Sequence, residues 1–140
     1  WNRAEATAEK YRGDWMLTGD RGQWDAGYLR FIGREDDVIT SAGYRIGPAE
    51  VEDCLLKHPA VLMAGVVGQP DPVRGHIVVA FVQLKPDTQP SPELAEDIAG
   101  FVKTRLAAHE YPRAVRFVSE MPTTTTGKII RAALRKLAVP

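Results

Sequence analysis

Residues 61–84 read VLMAGVVGQPDPVRGHIVVAFVQL, and this stretch decides the fold. Two valine-rich apolar runs, 61–67 and 77–84, flank a segment of turn formers. Both runs are apolar and rich in β-branched residues, as buried strands are. Gln69-Pro70-Asp71-Pro72 and Arg74-Gly75 supply loop chemistry between them. The pattern predicts two buried strands joined by a loop.

The elements outside this pair follow from local signals. Upstream, Pro48 suits the first turn of a helix. A helix over 48–57 would place Val51, Cys54, Leu55 and His58 on one face, and His58-Pro59 would end it. Before it, 38–40 reads as a short strand and 41–47 as a loop. Downstream, 86–92 is a polar, proline-rich connector. Ser91-Pro92-Glu93 then opens a helix, with a capping serine and proline at the first helical position. Leu94, Ile98, Phe101, Val102 and Leu106 form its apolar stripe. Glu93, Glu96 and Asp97 come early and Lys103 and Arg105 late, as the helix dipole prefers. Residues 114–118 read as a further short strand, 122–127 as a threonine-rich loop, and 129–137 as a last helix. That helix would turn Ile130, Ala133, Leu134 and Leu137 to one side.

The order after Asp36 is β, α, β, β, α, β, α, which predicts an α+β fold: a small three-stranded sheet packed with helices. In front of it, residues 1–13 are polar and at most helical. Residues 15–18 and 27–32 read as short strands, with Trp24-Asp25-Ala26-Gly27 as turn chemistry. Gly33-Arg34-Glu35-Asp36-Asp37 is a charged punctuation mark and the expected boundary.

Composition narrows the class. The chain has 140 residues, 44% of them hydrophobic, enough for one ordinary core with an appended segment. Acids and bases balance at 18 each. That argues against a general nucleic-acid or membrane-surface binder, but leaves room for a local basic patch. Cys54 is the single cysteine, so no internal disulfide forms, and a reducing cytoplasm fits. No run approaches the roughly 18 apolar residues of a membrane-spanning helix. The opening WNRAEATAEKYRGDW has no apolar signal-peptide region. It lacks an initiator methionine and opens in mid-pattern, so a domain cut from a longer chain is expected.

Three clusters look chemical. The first is Thr18-Gly19-Asp20. A carboxylate at a glycine turn can accept hydrogen bonds from a ribose diol; an ordinary turn aspartate is the commoner use of those three residues alone. The second is Gly33 to Asp37 together with Ser41-Ala42-Gly43-Tyr44-Arg45. Arginines supply paired donors and glycine lets backbone N–H groups approach, which suits phosphates; a solvated turn before a helix explains the same residues equally well. The third is Pro122-Thr123-Thr124-Thr125-Thr126-Gly127-Lys128. A P-loop needs glycine where Pro122 stands and Ser or Thr where Ile129 stands, so that motif fails. What remains is a mobile loop presenting one lysine to a phosphate or carboxylate, or a flexible polar linker. His58, His76 and His109 have no metal-ligand spacing and read as structural or surface residues. Cys54 reads as core. Trp1 and Tyr11 receive no role.

Taken together in this order, YRGDWMLTGDRG, GYLRFIGREDDVITSAGYRIGPAEVE and PTTTTGKIIR resemble the C-terminal signatures of the AMP-forming adenylating enzymes. These are the acyl-CoA synthetases, peptide-synthetase adenylation domains and luciferases. SAGYRIGPAEVE, HPAV and PDPVRG look closest to the acetyl-CoA and medium-chain acyl-CoA synthetases. The resemblance runs essentially end to end.

It implies a two-step ligase: ATP and a carboxylic acid give an acyl-adenylate and pyrophosphate, and the CoA thiol then attacks. It implies that residues 1–35 are the tail of a large N-terminal domain, including a β-hairpin. Residues 36–140 would then be a mobile lid hinged at Asp36, which turns between the two steps. Lys128 resembles the lysine that bridges carboxylate and α-phosphate during adenylation. Asp20 resembles the ribose-binding aspartate, and Arg34 and Arg45 resemble nucleotide-binding arginines. Ser41, Gly43 and Tyr44 fall beside the CoA tunnel, where a side chain at position 43 would obstruct the passage, and Lys103 is a candidate contact to CoA. Thr40 departs from relatives with lysine there and is given no role. ATP, CoA and Mg2+ are the implied cofactors, with Mg2+ held mainly by the other domain, as is the glycine-rich ATP loop. The partners implied are that domain and the substrates, not nucleic acid or a membrane. By itself the chain would be inactive. The alternatives are a peptide-synthetase lid and a non-catalytic binding module of the same fold.

Overall fold

The computed structural model describes residues 2–139; Trp1 and Pro140 lie outside them. The chain divides into two compact units, one ending at Asp36 and the next beginning at Asp37.

In the second unit the decisive stretch forms β7 (Val61–Asp71) and β8 (Gly75–Leu84). They pair antiparallel from Val61 opposite Leu84 to Asp71 opposite Gly75. The turn is locked by Asp71, whose Oδ1 accepts the backbone N–H groups of Val73 (3.0 Å) and Arg74 (2.7 Å). β7 therefore runs four residues past Val67, taking in Pro70. The proline is tolerated because β7 is the outermost strand on its side.

β8 is central. Beyond it lie β9 (Ala114–Phe117), parallel, with Val79 opposite Ala114 and Val82 opposite Phe117, and β5 (Ile39–Ser41), antiparallel, meeting it at Ser41 and Gly75. β5 pairs with β6 (Tyr44–Ile46), so the expected loop after Thr40 holds one further strand, and the sheet has five strands rather than the expected three. Its turn is Ala42-Gly43, with φ of 48° and 84°. Two successive positive φ values define the two-residue turn that matches strand twist. The polar run Ser41 to Arg45 hid the second strand.

The valine runs are continuous because the sheet is covered on both faces. Val78, Ala80 and Val82 of β8 pack with Val51 and Leu55 of α2 (Pro48–Leu55) and Ile98 and Val102 of α3 (Pro92–Lys103). Val79 and Phe81 pack with Leu134 and Ala138 of α4 (Arg131–Ala138). α3 starts as expected: the Ser91 hydroxyl accepts the Leu94 N–H at 3.1 Å, ahead of Pro92. α4 departs from the expected stripe. Leu134 and Ala138 are its buried residues, whereas Ile130 and Leu137 are exposed. Gly65 lets α4 approach: a Cβ there would overlap Leu134 Cδ1. His58 is buried and structural. Its Nδ1 accepts the Ala60 N–H at 3.2 Å, and Nε2 sits 3.1 Å from Asp97 on α3. Cys54 is in the core.

The first unit holds α1 (Ala4–Glu9), the short pair β1 (Tyr11–Arg12) and β2 (Trp15–Met16), and a hairpin of β3 (Asp20–Asp25) and β4 (Tyr28–Arg34). β4 thus pairs with residues 20–25, which carry no strand signal in the sequence. Asp-Arg-Gly-Gln-Trp-Asp lacks apolar alternation because five of its six residues are exposed. No described residue of this unit is buried. Trp15, Trp24 and Tyr28 are each at least 75% exposed, so the described residues of this unit form no core.

Candidate functional site

In the first unit, hairpin register sets Asp20 directly opposite Arg34, with a register shift between Arg21 and Gly22. The Asp20 N–H donates to Thr18 Oγ1 at 3.1 Å, and Glu35 N–H donates to the Gly19 carbonyl at 2.8 Å. These bonds fix both ends of the pair, and the Asp20 carboxylate has no partner among the described residues. Arg34 Nη2 lies 3.8 Å from Asp36, both side chains at least half exposed; such a pair contributes little to stability. Asp36 itself sits in the short 3-10 turn Glu35–Asp37, at the division between the units.

In the second unit, Ser41, Ala42 and Tyr44 line a cleft of about 230 Å³ with Arg74, His109 and Arg113. Tyr44 and His109 stack, centroids 4.1 Å apart and planes 12° from parallel. The Ala42 N–H donates to the Arg74 carbonyl (2.9 Å), and the Arg113 N–H to the Val78 carbonyl (2.8 Å), so hairpin, β7–β8 turn and the entry to β9 are laced together. No carboxylate pairs with Arg74 or Arg113 among the described residues. Arg113 also lies 5.0 Å from the Tyr111 ring, and Lys103 Nζ lies 5.4 Å from the same ring. Lys103 therefore stands one ring away from the cleft. Arg45 follows Tyr44 in β6, opposite Thr40, and strand alternation turns it to the other face. Gly43 is at the tip; a Cβ there would meet no atom within 4 Å. Its positive φ is thus demanded by the turn, apart from any ligand.

Lys128 is held elsewhere. The threonine-rich segment is a closed turn: Gly127 N–H donates to the Thr124 carbonyl (2.9 Å), and Thr124 N–H to the Lys128 carbonyl (2.8 Å). Lys128 N–H donates to Thr124 Oγ1 (3.1 Å), and Thr124 and Thr126 hydroxyls lie 3.0 Å apart. Gly127 takes φ +81°. The threonines thus shape the turn, and the Lys128 ammonium is exposed without a partner among the described residues. The turn rides on the α4 layer through Ile129. The hairpin of Ser41 and Tyr44 instead rides on the α2–α3 layer through Ile39 and Ile46. The structure does not bring Lys128 to the cleft.

Three residues after Lys128 begins a half-buried ion network for which the sequence carries no motif. Arg131, first residue of α4, donates through Nε to Glu52 Oε1 (3.2 Å) and through Nη2 to Oε2. Its Nη1 reaches Asp37 Oδ2 (3.4 Å), and Arg135 Nη1 reaches Asp37 Oδ1 (3.0 Å). Glu52 Oε1 also accepts the Val66 N–H at 2.8 Å. Burial nevertheless pushes the Glu52 carboxyl above its ordinary 4.5, although Arg131 and Val66 pull it down. The available signal was an acid on the inward side of α2, next to Val51. Arg74 and Arg113 were also missed, since they come together only through the β7–β8 turn. Among the described residues no cluster of His, Cys, Asp or Glu could hold a metal ion, and no helix is long and apolar enough to cross a membrane.

An exposed lysine turn on the α4 layer and an arginine-lined cleft at the β5–β6 hairpin are thus two separate cationic surfaces of one small α+β unit. The chain belongs to the family of AMP-binding enzyme C-terminal domains, whose profile matches residues 50–128. It is 51% identical over 135 residues to the mitochondrial acyl-coenzyme A synthetase ACSM1 of Homo sapiens, covering 94% of this chain and 23% of that protein. The acyl-CoA synthetase of Brucella canis shares 55% identity at a TM-score of 0.73, over 92% of this chain and 24% of that one. The anthranilate CoA ligase AuaEII, solved with anthranoyl-AMP, shares 40% identity at a TM-score of 0.86, over 99% and 27%. The chain thus spans about a quarter of the length of the relatives it matches.

Proposed function

We propose that this chain is the moving C-terminal lid of an AMP-forming acyl-CoA synthetase. One layer of the sheet serves adenylation and the other serves thioester formation. The observation that carries the reading is the separation of Lys128, on the α4 layer, from the Arg74–Arg113 cleft, on the hairpin layer. A rotation about Asp36 would present one and withdraw the other.

In the first half-reaction a carboxylate oxygen attacks the α-phosphorus of ATP and pyrophosphate leaves. Negative charge grows on the phosphoryl oxygens, and a pre-placed Lys128 ammonium stabilises it. Asp20 would accept hydrogen bonds from the ribose hydroxyls, with Arg34 beside it and Arg45 as a further phosphate contact. In the second half-reaction the CoA thiol attacks the acyl carbonyl and AMP leaves. The cleft suits the phosphates of CoA: Arg74 and Arg113 supply charge, the Tyr44–His109 stack supplies a flat wall, and Lys103 stands near. Ser41 and Gly43 would border the path of the pantetheine arm. Mg2+ would be held mainly by the rest of the protein.

Residues 1–35 would belong to the large domain, which would cover the exposed Trp15, Trp24, Tyr28, Leu29 and Phe31. We read the location as cytoplasmic from the lone cysteine; the ACSM1 relative is mitochondrial.

The test is Lys128→Ala in the full-length enzyme, with the half-reactions assayed separately. Adenylate formation should fall by about 10²-fold or more, while thioester formation from supplied acyl-adenylate and CoA persists. Survival of both would remove the case for catalysis by this face.

A further inference from the structure

The half-buried ion network has no part in the function proposed above, and its place in the fold is specific. Asp37 follows Asp36 directly, so it is the first residue on the lid side of the division between the units. Both of its oxygens are taken by arginines of α4, Arg131 at 3.4 Å and Arg135 at 3.0 Å. α4 begins three residues after Lys128, and the segment between is pinned by Ile130 N–H on the Pro122 carbonyl (2.8 Å) and by the Thr123–Ile129 bridge. Arg131 also grips Glu52 of α2 through two of its nitrogens, and Glu52 is itself bonded to the Val66 N–H of β7. Four charged side chains therefore join the hinge exit, α2, β7 and the base of the lysine turn.

Stability alone explains this poorly. Desolvating such charges costs about what their attraction returns, and well-packed apolar residues often do as well or better. What a bidentate arginine fork adds is fixed geometry.

We propose that Asp37, Glu52, Arg131 and Arg135 are positioning residues: they lock the Lys128 turn to the lid side of the hinge, so that hinge rotation delivers the lysine at one defined place. The proposal rests on Lys128 acting in adenylation. A displacement of only about 1 Å from the reacting atoms can cost about 10²-fold in rate, so a loose link here would reach the chemistry.

The experiment uses the full-length enzyme with four changes: Arg131→Lys, Asp37→Asn, Arg135→Gln and, as reference, Lys128→Ala. Arg131→Lys keeps the charge and loses the fork. Arg135, 41% exposed, loosens the link without emptying the interior, so one variant stays informative if another misfolds. We expect Arg131→Lys and Asp37→Asn to lower kcat for adenylate formation about tenfold or more, and Arg135→Gln to lower it less. KM for ATP and the rate of thioester formation should stay within about twofold, since the change lies in transition-state placement. Arg131→Lys added to Lys128→Ala should cost nothing further in adenylation, because its effect runs through the lysine. Equal losses in both half-reactions, or an undiminished penalty in the Lys128→Ala background, would mean a merely structural network. Unchanged adenylation in all three link variants would also overturn the proposal. If Lys128→Ala itself leaves adenylation intact, the functional reading fails first, and the two failures are told apart.

Discussion

Tyr44 and His109 lie in parallel rings 4.1 Å apart, although 65 positions separate them in the chain (109 minus 44). The stack closes one side of a cleft whose remaining charge comes from Arg74 and Arg113. Neither guanidinium has a carboxylate partner among the described residues, so each is available to an anionic ligand. Hydrogen bonds to a charged group contribute about 1.5–3 kcal/mol. Arg74→Ala and Arg113→Ala should therefore each raise KM for CoA by roughly 10- to 100-fold, with adenylate formation unaffected. Separate half-reaction kinetics check this, and an unchanged KM in both variants would place CoA elsewhere.

Gly43 separates two reasons for a glycine. Its φ of +84° strains any other L-residue, which costs alanine about 1–2 kcal/mol. Space is not the cause within this chain, since a Cβ would meet nothing within 4 Å. Asparagine tolerates that conformation better than alanine but carries a larger side chain. If a ligand passes this turn, Gly43→Asn should be the more stable variant in thermal melts and yet form thioester at least as poorly as Gly43→Ala. Thioester formation that tracks stability alone would reduce the glycine to a turn requirement.

How much of this was legible depends on whether the signal was local. The valine runs at 61–67 and 77–84 announced buried strands, and Ser91-Pro92 announced a helix start. Both reflect short-range physics. β6 was hidden because Tyr44 and Arg45 are exposed and a half-exposed hairpin shows no apolar alternation. β3 was hidden for the same reason. The α4 stripe was misplaced because Ile130 caps the helix rather than entering it, which shifts the inward face to Leu134 and Ala138. Lys128, Asp20 and Arg34 stood out through their motifs. Arg74 with Arg113, and Asp37 with Arg131, could not be found that way, since 39 and 94 positions separate them (113 minus 74; 131 minus 37) and only the folded sheet brings them together.

Glu52 gives stability a pH dependence of known sign. Burial raises its carboxyl above 4.5, outweighing Arg131 and Val66. In the window between 4.5 and the raised value, the folded chain binds more protons than the unfolded chain. Stability then falls as pH rises through that window, and this contribution is fully present only below it. Glu52→Gln removes the titration. In urea melts at successive pH values, the wild type should lose stability relative to Glu52→Gln as pH rises across the window. A wild type that gains on the variant would show that the ion pair, not burial, controls this carboxyl.

The contact between Gly65 and Leu134 sets how closely α4 can lie on β7. A Cβ at position 65 would overlap Leu134 Cδ1 and come within 3.2 Å of Ile129 Cγ2 and 3.3 Å of Met121 Sδ. Overpacking of this kind costs about 1–3 kcal/mol, so Gly65→Ala should destabilise the chain by about that much. Leu134 is fully buried, and Leu134→Ala should cost about 2–5 kcal/mol through the cavity it leaves. The two changes occupy the same space, because the new methyl enters the volume that the leucine vacates. Their combined cost should fall short of the sum by about 1 kcal/mol or more, read from denaturant midpoints in a double-mutant cycle. Strict additivity would mean that α4 sits farther from β7 than this contact requires. It would also mean that the helix behind Lys128 is less firmly seated than the packing of Leu134 and Ala138 implies.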